Sequence, residues 1–203
     1  ATFELNSFKS RNVESTVGTQ IDCTHAMMIL DAYKALDTLS NHPKIDKNKI
    51  AITGWSLGGG VALFSGWDPL RNAIGSNEKF AAHLSFYPPC IVEPEVLKFT
   101  DSPMHILTGE LDNWVPADAC VDLVNKMVEI GTDIDVTVYD DAHHSFDRDQ
   151  AVEVSKNAYI LEDCRFKMNG EGAVLMNFLK IPMTTPFRQK VALACCAKRG
   201  PTF

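Results

Sequence analysis

The segment Gly54-Trp55-Ser56-Leu57-Gly58 sets a serine between two glycines. The β-branched run Lys49-Ile-Ala-Ile-Thr53 precedes it, and the helix-compatible Gly59-Gly-Val-Ala-Leu-Phe64 follows. In a strand–turn–helix setting, Gly-x-Ser-x-Gly spacing forms a nucleophile elbow. The turn is tight enough to strain the serine backbone, and glycines two residues to either side are expected to remove clashing Cβ atoms. Ser56 Oγ would then stand clear of the sheet above a helix N-terminus. There the Leu57 N–H and the helix dipole can stabilise a developing oxyanion. The plainer alternative is a Gly/Ser turn without chemistry; the strand before it and the helix after it favour the nucleophile.

A serine hydroxyl is a poor nucleophile near neutral pH and needs a hydrogen-bonded base, itself oriented by an acid. In doubly wound hydrolases both partners sit after later strands, in the order serine, acid, histidine. A strand expected over 103–108 runs into Gly109-Glu110-Leu111-Asp112 before the helix-starting Pro116. A strand over 134–139 runs into Asp140-Asp141-Ala142-His143-His144-Ser145-Phe146-Asp147. A carboxylate and an imidazole therefore emerge at the same sheet edge as Ser56. Asp112 is the preferred acid, with Glu110 the fallback and a turn cap the chemistry-free reading of Asp112. Only one of the adjacent His143 and His144 can face the serine. His83 and His105 fall inside expected strands and read as core residues, while His25 and His42 flank a helix. Metal binding by Asp141, His143, His144 and Asp147 is disfavoured, because adjacent histidines diverge and no helical His-x-x-x-His spacing is present. No metal and no cofactor is called for.

The elements that must position these residues read as an α/β domain with a mostly parallel sheet and helices on both faces. Strands are expected over 2–5, 49–53, 80–87, 103–108 and 134–139. Helices are expected over 20–40, from the elbow to about 66, and over 116–131, 150–161 and 185–198. The segment 165–184 reads as irregular. One domain spanning 1–203 is expected, with 165–203 a C-terminal extension ending in a helix.

The chain has 203 residues, 45% hydrophobic and 22% charged, the composition of an ordinary globular domain. A formal charge of −7 argues against nucleic acid or an anionic membrane surface as partner. No apolar run is long enough to span a bilayer and no segment reads as a signal peptide. The start at Ala1, in what reads as a strand, suggests processing or a partial chain. Six cysteines (Cys23, Cys90, Cys120, Cys164, Cys195, Cys196) form no Cys-x-x-Cys pair. One or two long-range disulfides would fit an oxidising compartment, but spacing does not pair them, and the compartment stays open.

Taken together, Asn6-Ser7-Phe8-Lys9-Ser10-Arg11, the elbow, Gly109-Glu110-Leu111-Asp112 and Tyr139-Asp-Asp-Ala-His-His-Ser-Phe146 resemble the dienelactone hydrolase family of α/β-hydrolases. Aligning Ala142 and Phe146 to the family pattern places its histidine at His144, its acid at Asp112 and its nucleophile at Ser56. Dienelactone hydrolase itself carries cysteine where Ser56 stands, so dienelactone is not implied as substrate. The family also has about three further strands upstream, and a turn there supplies a second oxyanion donor. The resemblance therefore implies an exposed sheet flank, covered by a further N-terminal segment or by a homo-oligomer. The expected chemistry is hydrolysis of small soluble esters or lactones through an acyl-enzyme. A peptidase or thioesterase would use the same triad, and a binding module could keep the fold without the chemistry. Trp55, Trp114 and Phe146, with Tyr87, are candidate pocket residues. Lys9 and Arg11 read as surface cations that could meet a substrate carboxylate.

Overall fold

The computed structural model describes residues 1–16, 22–155, 159–169, 174–176 and 198–199. The first helix, α1 (His25–Ser40), begins where Thr24 Oγ1 accepts the Met27 N–H at 3.2 Å. That cap fixes its start, later than the periodicity alone suggests. Met28, Ile29, Ala32, Tyr33 and Leu36 form its buried face. After it come β1 (Ile52–Trp55), α2 (Leu57–Phe64), α3 (Asp68–Ile74) and β2 (His83–Phe86). A short β3 (Val92–Pro94) precedes β4 (Met104–Gly109), α4 (Ala117–Glu129) and β5 (Ile134–Tyr139).

Strands β1, β2, β4 and β5 form one parallel sheet in the order β1-β2-β4-β5. Its register explains which side chains meet the helices. Ile52, His83, Met104 and Ile134 are aligned across the strands, as are Gly54, Ser85, Ile106 and Val136. These two rows face the core, where α2 lies against β1 and β2 while α4 lies against β4 and β5. The intervening rows, Thr53-Leu84-His105-Asp135 and Trp55-Phe86-Leu107-Thr137, point the other way and are exposed or half-buried. A side-chain period of two makes this division automatic. Among the described residues the helices cover one face only, and Trp55 and Leu84 stand exposed on the other. His105, expected in the core, lies on that open face and bonds Thr137 Oγ1 at 2.9 Å.

His83 does lie in the core, with Nδ1 2.8 Å from the Ala62 carbonyl. Burial pushes its pKa down from 6.5 to about 4. As the pH falls through 6.5 the unfolded chain takes up this proton, while the folded chain resists until about 4. The folded state therefore loses stability across that window, by about 3 kcal/mol, and loses no more below it. Denaturant unfolding at stepped pH should show a shallower acid slope for His83→Gln than for the parent protein.

The sheet begins at β1, not at 2–5. Residues 1–6 are exposed and form no ladder, because no described strand lies alongside to accept their backbone groups. The helix expected over 150–161 is also replaced. Val152 and Val154 are each 57% exposed, so they bury no helical face, and Tyr159–Ile160 forms β6. Residues expected to be irregular instead supply β7 (Phe166–Met168) and β8 (Val174–Met176). β7 pairs with β3 in parallel and with β8 antiparallel, and Phe166 and Met168 join the core. The helix expected over 185–198 lies mostly outside the described residues. Lys198, at its expected end, belongs to β9 (Lys198–Arg199), antiparallel to β6.

A disulfide joins Cys90, just after β2, to Cys120 in the first turn of α4. Closing a loop of this length removes about 3–4 kcal/mol of denatured-chain entropy. Cys164 is disulfide-bonded too, and buried Cys23 is free. Among the described residues no helix is long and apolar enough to cross a membrane, and no group of His, Cys, Asp or Glu is placed to hold a metal ion.

Candidate active site

The carboxyl ends of β1, β4 and β5 converge on one rim of the sheet. At the first, Ser56 adopts φ 53° and ψ −114° between β1 and α2, a conformation that side chains rarely occupy. It is held there by its own N–H, which donates to the Phe86 carbonyl at 2.9 Å, and by the Gly60 N–H bonded to the Ser56 carbonyl at 3.0 Å. The two flanking glycines do different jobs. A Cβ on Gly54 would lie 2.1 Å from the Gly58 carbonyl oxygen, so Gly54 must lack one. A Cβ on Gly58 would meet nothing within 4 Å, contrary to the expectation that both glycines relieve a clash. Leu57 opens α2, so its N–H is among those a helix leaves without an intrahelical partner.

At the second strand end, Asp112 is buried in the turn leading to α4. Its Oδ1 accepts the N–H groups of Trp114 and Val115 at 3.0 and 2.9 Å. The helix itself starts at the Pro116 cap without a side-chain bond, so Asp112 organises the turn and leaves Oδ2 for another partner. That partner is His144 Nδ1, at 2.6 Å. The fallback acid, Glu110, is exposed and accepts the Asp141 N–H at 3.1 Å, away from the imidazole.

The loop after β5 is fastened to the end of β4. The Glu110 N–H donates to the Tyr139 carbonyl at 3.0 Å and the Leu111 N–H to the Ala142 carbonyl at 2.8 Å. A Cβ on Gly109 would sit 2.3 Å from the Ala142 oxygen, so a glycine is required for this approach. Asp141 and Ser145, both at positive φ, turn the loop back on itself around the two histidines. His144 is thereby buried, with Nε2 3.0 Å from Ser56 Oγ. His143 bonds neither Ser56 nor Asp112, and its buried Nδ1 has no hydrogen-bond partner among the described residues.

The imidazole packs against two aromatic rings, Tyr87 at 4.5 Å and Trp114 at 5.0 Å between centroids. Phe146 packs on Tyr87 and Tyr139. Trp55 is exposed, stacks on Phe86 and donates its indole N–H to Asp147 at 2.7 Å. Tyr87 sits at φ 35° and donates its hydroxyl to the other oxygen of Asp147 at 2.6 Å. Burial, and then this carboxylate, raise the Tyr87 pKa well above that of an ordinary phenol. Sequence reasoning weighed Asp147 only as a metal ligand; its position straight after His144-Ser145-Phe146 was the available signal. Arg11 is taken up by a two-pronged contact with Asp31 of α1, at 2.6 and 3.0 Å.

A parallel sheet with a strained serine between strand and helix, and an acid and a histidine on the next rim loops, defines an α/β-hydrolase fold. The chain belongs to the dienelactone hydrolase family, whose sequence profile matches residues 7–168. A search of curated proteins gives no match. Among solved structures, the chain is similar to the apo form of Thermogutta terrifontis esterase 2, at 24% identity and a TM-score of 0.50 over 60% of this chain and 56% of that one. The propionate-bound form of that esterase gives 21% and 0.51 over 64% and 59%. Porphyromonas gingivalis dipeptidyl peptidase 4 gives 19% and 0.50 over 60% and 20%. These likenesses are of fold, and the chain spans less than two thirds of the length of each of these proteins.

Proposed function

We propose that this protein is a serine carboxylic ester hydrolase that acts on small soluble esters or lactones through an acyl-enzyme. The observation that carries this reading is the unbroken set of contacts from Ser56 Oγ through the imidazole of His144 to Asp112, at 3.0 and 2.6 Å. Ser56 attacks the ester carbonyl as its proton passes to His144 Nε2. Asp112 holds the Nδ1 tautomer and stabilises the imidazolium. The Leu57 N–H, at the positive end of α2, receives the oxyanion. His144 then returns the proton to the leaving alcohol, and water, activated by the same imidazole, releases the acid.

Two features support a small substrate. The segment between β2 and β4 is tied down by the Cys90–Cys120 disulfide and by pairing of β3 with β7, which leaves little of it free to form a lid. The similar esterase 2 structure holds propionate, a three-carbon acid. Trp114, against the His144 ring, and Phe146, packed on Tyr87, are assigned to the acyl or alcohol pocket. Trp55, on the open face, is assigned to the pocket rim. The second oxyanion donor, and the cover for the open sheet face, are assigned to segments or copies outside the described residues.

Steady-state assays on p-nitrophenyl esters of increasing chain length test this. The acetate and butyrate should be turned over with a kcat/KM about tenfold or more above that of the octanoate. Preference for the octanoate would refute the small-substrate reading. Parallel thioester and anilide substrates should be poorer than the matched ester. A faster anilide would make the protein a peptidase.

A further inference from the structure

We propose that Asp147 is a positioning residue for His144: its carboxylate ties the elbow and the exit of β2 to the histidine-bearing loop, and so holds the Tyr87 ring against the imidazole. The proposal rests on the reading of Ser56, His144 and Asp112 as the reacting set. Three rim segments have to agree for Ser56 and His144 to meet. The turns at 109–112 and 139–142 are locked together by backbone bonds, but the loop is joined to the elbow side differently. There, Asp147 Oδ2 accepts the indole N–H of Trp55, next to the serine, and Oδ1 accepts the hydroxyl of Tyr87. One carboxylate three residues beyond His144 thus spans both neighbouring strand ends.

Tyr87 transmits the constraint. Its backbone is held at φ 35° by an N–H bond to the Leu107 carbonyl, at 2.6 Å, and its ring lies 4.5 Å from the imidazole, which Trp114 also contacts at 5.0 Å. A ring fixed at both its backbone and its hydroxyl leaves the imidazole little room to swing from Ser56. An aromatic face also suits the imidazolium that forms when the proton arrives. Small displacements of a general base cost large factors in rate, so a tether of this kind acts mainly on kcat.

The hydrogen-bond chemistry supplies a discriminating substitution. An indole N–H can only donate, whereas a phenol can donate or accept. In Asp147→Asn the amide oxygen can still take the Trp55 N–H, while the amide NH2 donates to a reversed Tyr87 hydroxyl. Both ties survive without the charge. Asp147→Ala loses both.

The test measures p-nitrophenyl acetate kinetics and, independently of turnover, the low-field proton resonance of the His144 Nδ1–H bonded to Asp112. Asp147→Ala should lower kcat about tenfold with KM within about twofold, and should broaden or abolish the resonance. Asp147→Asn should restore both to within about twofold of the parent. Should Asp147→Ala not fold, Trp55→Phe and Tyr87→Phe each remove one tie and should each give a partial loss of kcat. Unchanged kcat and resonance in Asp147→Ala, or in both single-tie variants, would overturn the proposal. So would Asp147→Asn as impaired as Asp147→Ala, since charge and not the two bonds would then be at work. If the parent hydrolyses no ester, yet the resonance is lost in Asp147→Ala and kept in Asp147→Asn, the hydrolase reading fails and the positioning role stands.

Discussion

Replacing Ser56 by alanine should lower kcat on a short p-nitrophenyl ester by about 10⁴-fold or more, to the background left by binding and the oxyanion donor. The fold should survive. Alanine keeps the Cβ, so the conformation at φ 53° is neither relieved nor worsened, and among the described residues the only side-chain bond lost is that to His144 at 3.0 Å. One such bond is worth about 1 kcal/mol of stability, a small fraction of the total for a domain of this size. A fluorophosphonate should add covalently to the parent protein at Ser56, as read by mass spectrometry after digestion, and should leave the alanine variant unlabelled. Parent-like turnover in Ser56→Ala, with the fold confirmed by circular dichroism, would remove Ser56 from the reaction.

The parts of the site written in contiguous residues were legible in the sequence. The elbow is a local motif, and its strand and helix follow from β-branched and apolar runs on either side of Ser56. Asp112 and His144 could be placed on one rim because each follows a strand whose parallel direction the α/β alternation implies. Choosing His144 over His143 took the family pattern, since residue spacing alone treats neighbours alike. What stayed hidden depends on contacts between distant segments. The pairing of Val92 with Phe166 leaves no periodic trace in a three-residue strand, so 165–184 read as irregular. Val152 and Val154 look like helix residues until their exposure is known. The two-fold role of Asp147 joins residues 55, 87 and 147, whose meeting is a property of the assembled rim. The Gly58 result is similar: the motif names two glycines, while the backbone geometry requires the absence of a Cβ only at Gly54.

Asp112→Asn should be nearly as damaging as loss of the nucleophile, with kcat down about 10⁴-fold, because the turn around residue 112 dictates how the amide must lie. The backbone N–H groups of Trp114 and Val115 approach one oxygen at 3.0 and 2.9 Å. An amide NH2 turned toward them would face two donors and satisfy neither, so the amide oxygen must remain at that end. The NH2 is then driven toward His144 Nδ1, where the carboxylate oxygen now sits at 2.6 Å. Facing a donor, Nδ1 becomes the acceptor, and the ring proton moves to Nε2, the atom that must receive the Ser56 proton. The base is disabled although every heavy atom stays in place. A crystal structure of the variant should therefore superpose on the parent at Ser56 and His144, while turnover collapses. Activity should recover in part at high pH, where hydroxide deprotonates the serine without the imidazole. Glu110→Gln provides the contrast, since among the described residues its Oε2 accepts only the Asp141 N–H, at 3.1 Å. An amide oxygen keeps that bond, and kcat should stay within about threefold of the parent. A reversed ranking, with Glu110→Gln the crippled variant, would transfer the acid's role from residue 112 to residue 110.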